Sequence, residues 1–165
     1  MITTTGALIL LVPVLPIAVW AALTDLKSLK IRNNTVMAMA GTWLALGWLA
    51  VPTWSLYAWG IGLLVIGVLL AFLANAFLNF PGGDGKYAAA IAPFFVGADL
   101  IRVGTIIIAC MIGATLLLQV VRAFPFVKRA TVGWEGLRHW RVVPFGLALS
   151  TMVVYYLVAS IWPQV

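Results

Sequence analysis

The chain carries four acidic side chains in 165 residues, Asp25, Asp84, Asp99 and Glu135. Asp25 opens the polar segment "DLKSLKIRNN" (25–34) after an uncharged N-terminal stretch. Asp84 lies in "GGDGK" (82–86), behind residues 33 to 81, which hold no charged side chain. An ionisable group beside a long apolar run is costly unless it is paired or hydrated. Taken singly, either Asp reads as a boundary residue next to a Lys. Taken together, the two can form a dyad, because two carboxyl groups sharing a site cannot both ionise cheaply and one keeps its proton. The ionised partner then draws a proton from a water while the protonated one polarises a carbonyl. That pair suffices for peptide hydrolysis without a metal or cofactor. The sequence shows no HExxH zinc motif, no Cys-His pair and no nucleotide-binding glycine motif on a strand. Cys110, inside "IIIACMIGA", reads as a packing residue, and His139 as a solvated residue in a basic loop.

The residues around Asp84 fit this chemistry. Gly82, Gly83 and Gly85 offer backbone angles closed to other residues and let a substrate backbone approach closely. Lys86 either tunes the dyad or marks the membrane boundary.

For the dyad to form, the rest of the chain must bring the two acids to one place. Residues are 64% hydrophobic and 8% charged, with a mean hydropathy of +1.13. A soluble core cannot absorb that much apolar surface, whereas lipid can. The net charge of +6 does not imply nucleic acid, since the cations are scattered between apolar runs rather than clustered on a water-facing surface. A crossing helix needs about 20 apolar residues. On that measure six spans are expected, at about 6–24, 35–51, 56–78, 87–101, 103–121 and 143–162. The first, "MITTTGALILLVPVLPIAVW", lacks the basic start of a signal peptide and reads as a retained span. The fourth is short and Ala-rich, contains Pro93 and ends at Asp99. Glycines such as Gly62 and Gly67 read as helix-packing positions.

The expected architecture is therefore all-α, a single transmembrane domain over 1–165. Cations adjoin one set of span ends: Lys27, Lys30, Arg32, Lys86, Arg122, Lys128, Arg129, Arg138 and Arg141, with Arg102 alone on the other side. The positive-inside rule makes the first set cytoplasmic and puts both termini outside. Between Asp25 and Asp84 the chain crosses twice, so both acids are expected at the cytoplasmic face.

These residues resemble the type IV prepilin peptidases, a family of membrane aspartyl proteases. The family's first motif, an Asp followed six residues later by Ile-Pro-Asn, is similar to Asp25 and Ile31-Arg32-Asn33. Its second, Gly-x-Gly-Asp-x-Lys, is similar to Pro81-Gly82-Gly83-Asp84-Gly85-Lys86. "YAAAIAPFFVG" and "VPFGLALS" (143–150) also resemble the family pattern. Arg32 stands in place of the usual proline, and Pro81 in place of the first glycine. No cysteine-bearing cytoplasmic segment is present, which is similar to the short, Flp-type (tight-adherence) branch.

The resemblance implies catalytic Asp25 and Asp84, with Asn33, Gly82, Gly83, Gly85 and Lys86 in support. It implies removal of a short basic leader from a prepilin at the cytoplasmic side of the inner membrane. The expected partners are that prepilin, the lipid bilayer and pilus-assembly proteins. The basic loops do not favour a basic leader, so binding is expected to rest on the pilin's apolar helix. The alternatives are an inactive pilus-assembly scaffold of the same fold, or a small ion or proton transporter. The transporter predicts acids near the bilayer midplane and an internal repeat, neither of which the sequence suggests.

Overall fold

The computed structural model describes residues 1–79, 81–124, 126–127, 131, 133–138 and 144–162. Every regular element among them is helical: α1 Thr4–Ser28, α2 Asn33–Ala50, α3 Trp54–Leu78, α4 Gly82–Ile91 with a 3-10 turn Ala92–Phe95, α5 Leu100–Ala123, α6 Glu135–Arg138 and α7 Phe145–Ala159. Of these, α1, α3 and α5 are long and apolar enough to cross a membrane. The other expected spans correspond to shorter elements, of 18 residues in α2, 10 in α4 and 15 in α7. Lys128, Arg129, His139, Arg141 and Val143 lie outside the described residues.

Local chemistry sets the helix ends. Thr3 caps α1 by accepting from the Gly6 amide at 3.0 Å, and Thr53 caps α3 through the Leu56 amide, as hydroxyl residues do at N-caps. At the far ends, Leu29 and Asn79 reverse the chain in the left-handed region, each with φ 51°. Asn tolerates that conformation, whereas a leucine there is strained.

The fourth segment differs from the sequence expectation. Its helix begins at Gly82 rather than at residue 87, so "GGDGK" is its first turn and not a loop. Pro81 serves as its N-cap residue, where a fixed φ suits the entry and no amide is needed. Pro93, lacking an N–H, coincides with the change to a 3-10 turn. Gly97 then turns the chain at φ 71°. Asp99 does not end this helix; it opens α5, its Oδ1 accepting from the Ile101 amide at 3.2 Å. Asp is a preferred N-cap for that reason.

Helices α1, α2, α4 and α7 form the interior, with α3 laid on α4 and α5 on α7. Without a strong hydrophobic drive between helices in lipid, close packing depends on small residues. Gly6 meets the backbone of Ala50 so closely that a β-carbon would overlap it, and Thr3 donates its amide to the Ala50 carbonyl at 2.9 Å. The start of α1 is thus tied to the end of α2. Gly60, the one buried residue of α3, sits on the ring of Trp43, which in turn makes an edge contact with Phe94 at 5.5 Å. A β-carbon at Gly67 would stand 3.0 Å from Ala89. Gly67 therefore packs helices as expected, while Gly62 faces only Trp59 of its own helix.

Candidate active site

Three helix ends converge at one end of the bundle: the last turns of α1, the first turn of α4 and the first turn of α7. Asp25 sits on α1 and is only 2% exposed. Its Oδ2 accepts from the Gly146 amide at 2.7 Å, across 121 residues of sequence, and the Leu147 amide also bonds to it. A helix N-terminus presents unpaired amides, so α7 supplies two fixed donors to this carboxyl. The sequence permits that approach because residue 146 has no side chain. A β-carbon there would stand 2.8 Å from Asp25 Oδ2.

Asp84 occupies the first turn of α4 and is half-buried. Burial, and then the neighbouring Asp25 carboxylate, push its pKa up to about 6. An acid in the first turn of a helix is ordinarily favoured in its ionised form; here desolvation and like charge outweigh that preference. Ile31 forms a wall common to both sides of the site. Its backbone lies 3.6 Å from where a Gly83 β-carbon would be, and its Cδ1 lies 2.8 Å from where a Gly146 β-carbon would be. The structure thus brings Asp25 and Asp84 within electrostatic reach of each other. No third His, Cys, Asp or Glu joins them in a metal-binding group among the described residues. Two carboxyls within electrostatic reach of each other, one of them seated on a helix terminus, are groups that can activate water and polarise a carbonyl.

The supporting residues divide. Neither Gly82 nor Gly83 uses a backbone angle closed to other residues, since among the described glycines only Gly97 has a positive φ. A β-carbon at Gly82 would press on Asn75 Nδ2 at 3.3 Å, and one at Gly83 would touch Ile31. Gly85 is buried within the helix. Lys86 is exposed and two residues from Asp84, a spacing that puts side chains on different helix faces. Asn33 is exposed at the start of α2.

Several residues beyond the sequence expectation build the site. One turn beyond Asp84, the buried Tyr87 hydroxyl shares a 3.0 Å hydrogen bond with Ser150, one turn beyond Gly146. This bond latches α4 to α7 directly behind the acids. From α5, the buried Arg122 donates from Nη2 to the Gly136 carbonyl at 2.6 Å. Gly136 itself lies against the backbone of Leu26, next to Asp25. Lys27 Nζ stands over the Trp134 ring, 5.3 Å from its centre. The segment around α6 is therefore anchored over the last turn of α1. The available sequence signal was the 84/87 and 146/150 spacing, which puts each pair on one helix face.

Comparison with protein-family models, with curated proteins and with solved structures finds no match for the chain.

Proposed function

We propose that the protein is an aspartyl endopeptidase of the membrane that removes the leader of a type IV, Flp-like prepilin at the cytoplasmic face. The observation that carries this reading is the paired environment of Asp25 and Asp84: one buried against the amides of α7, the other half-buried in the first turn of α4 and within its electrostatic reach. Under this reading the six spans expected from the sequence are membrane crossings, and both termini face outward. The site end carries Lys27, Lys30, Arg32, Lys86 and Arg122, in keeping with a cytoplasmic orientation.

The proposed reaction uses the dyad as one unit. The ionised carboxyl takes a proton from water as the water attacks the scissile carbonyl carbon. The protonated carboxyl donates a hydrogen bond to that carbonyl oxygen and stabilises the charge that develops on it. Collapse of the tetrahedral species breaks the C–N bond and returns a proton to the departing amine. The two carboxyls titrate together, so the proton belongs to the pair.

Coexpression with a candidate prepilin, followed by gel shift, tests the proposal. The native chain is expected to remove the leader. Asp25→Asn and Asp84→Asn are each expected to lower the rate by about 10²- to 10⁴-fold, the usual contribution of a positioned acid or base. Unprocessed prepilin with the native chain indicates a scaffold instead, and processing that survives either substitution refutes the dyad.

A further inference from the structure

A groove of ≈ 560 Å³ runs along the seam between α1 and α7. Its lining recurs every three or four residues, from Leu15 to Leu26 on α1 and from Leu147 to Val158 on α7. Each helix therefore gives it one continuous face. Among the described residues, no other helix contributes to the lining.

The floor of the groove is small and its sides are large. Ala18 and Ser150 are buried and Ala22 half-buried, whereas Val19, Leu23 and Tyr155 stand exposed. Small residues on a helix surface let another helix approach closely in lipid. The two hydroxyls of α7 nearest the floor ask for no polar ligand. Ser150 Oγ shares its hydrogen bond with Tyr87 at 3.0 Å, and Thr151 Oγ1 donates to the Ala148 carbonyl at 2.8 Å. The occupant that suits such a lining is apolar along its length.

The position of the groove's end discriminates among apolar occupants. One end is formed by Leu26, which follows Asp25, and by Leu147, whose amide bonds to Asp25. From Leu26 to Leu15 is about 16 Å at 1.5 Å per residue, half of the ~30 Å hydrocarbon core. A lipid acyl chain gains nothing from an end at the acids, whereas a peptide segment seated here delivers its backbone to them. Within the bilayer that segment satisfies its own backbone groups only as a helix.

We infer, building on the peptidase reading proposed above, that this groove seats the apolar membrane helix of the substrate. The helix runs parallel to α7 and antiparallel to α1, with the scissile bond at the acids. About three turns of it, the length of the groove, are held.

Disulfide cross-linking to the prepilin of the leader assay tests the docking, in a Cys110→Ala and Asp84→Asn background. Single substitutions Val19→Cys and Leu23→Cys, both at exposed positions, are paired with cysteines scanned through about the first eleven residues after the prepilin's cleavage site. A disulfide forms only where α-carbons come within about 7 Å. Cross-links are expected at every third or fourth prepilin position, the spacing of a helix in a groove. Those to Leu23→Cys are expected one turn nearer the cleavage site than those to Val19→Cys. Ile108→Cys, on the exposed face of α5, is expected to give none. In the active chain, Ala22→Leu fills the floor and is expected to raise KM about tenfold with kcat little changed, the pattern of lost substrate binding. Gly113→Leu adds bulk where nothing stands within 4 Å and is expected to leave KM unchanged. Cross-links that fall equally on Ile108→Cys or lack the register show that lipid fills the groove, and overturn the docking even where the leader is removed. An unchanged KM in Ala22→Leu overturns it as well. Cross-links in register without leader removal by the native chain support the docking and refute the peptidase reading.

Discussion

A carboxyl whose proton persists to about pH 6 behaves unlike an ordinary surface Asp, and for Asp84 the cause is burial followed by the Asp25 charge. Below about pH 6 the pair holds a proton; as pH rises past that value the proton leaves, both carboxyls ionise and the general acid is lost. Leader cleavage is therefore expected to fall on the alkaline side with an apparent pKa near 6, read from the pH dependence of kcat/KM. The same shift bears on stability. The folded state holds this proton more tightly than the unfolded chain, so the contribution is present at low pH and lost as pH rises through about 6. Asp84→Asn is expected to flatten the fall in Tm between pH 4 and 7. Gly146 makes a separate prediction. Gly146→Ala pushes a methyl group against Asp25 Oδ2, and a misplaced catalytic group costs about a hundredfold in rate. Gly113→Ala, where nothing stands within 4 Å, is the control expected to retain full activity.

Among the helices, the joint between α4 and α7 decides whether the acids stay together. Both helices contribute their first turns to the site, and the Tyr87–Ser150 hydrogen bond fixes their relation one turn further in. Tyr87→Phe leaves the buried Ser150 hydroxyl without that partner, at an expected cost of about 1 to 3 kcal/mol. Replacing both residues, as Tyr87→Phe with Ser150→Ala, is expected to recover part of the loss, since no orphaned polar group then remains. Thermal unfolding of the single and double variants measures the coupling. Long apolar runs made α1, α3 and α5 legible in the sequence, whereas the capping roles of Thr3, Thr53 and Asp99 were not read from it. It misplaced the start of α4: glycines and a proline read as a loop, yet Pro81 opens the helix and Gly82 leaves room for Asn75.

For the molecule as a whole, the parity of crossings carries the functional proposal. The ends bearing Asp25 and Asp84 lie together, and the Thr3–Ala50 bonds tie down the opposite end. With Cys110→Ala as background, cysteines at Lys30 and Lys86, both exposed, are expected to react with a membrane-impermeant thiol reagent from the same side. A cysteine at Ser55, exposed at the start of α3, is expected to react only from the other. Labelling of all three from one side contradicts the crossing pattern.

Composition and patterning by themselves determined that this chain is helical and apolar enough to enter a membrane, because long uncharged runs have few other stable solutions. They also singled out Asp25 and Asp84, because so few acids are present that the two near glycine and lysine stand out. The tertiary structure alone decided that Asp25 is seated on the amides of α7, that Lys86 and Asn33 are exposed, and that Tyr87, Ser150 and Gly146 hold the arrangement. Those facts depend on which helix faces meet across more than a hundred residues of chain, and periodicity along one helix carries no information about its partner.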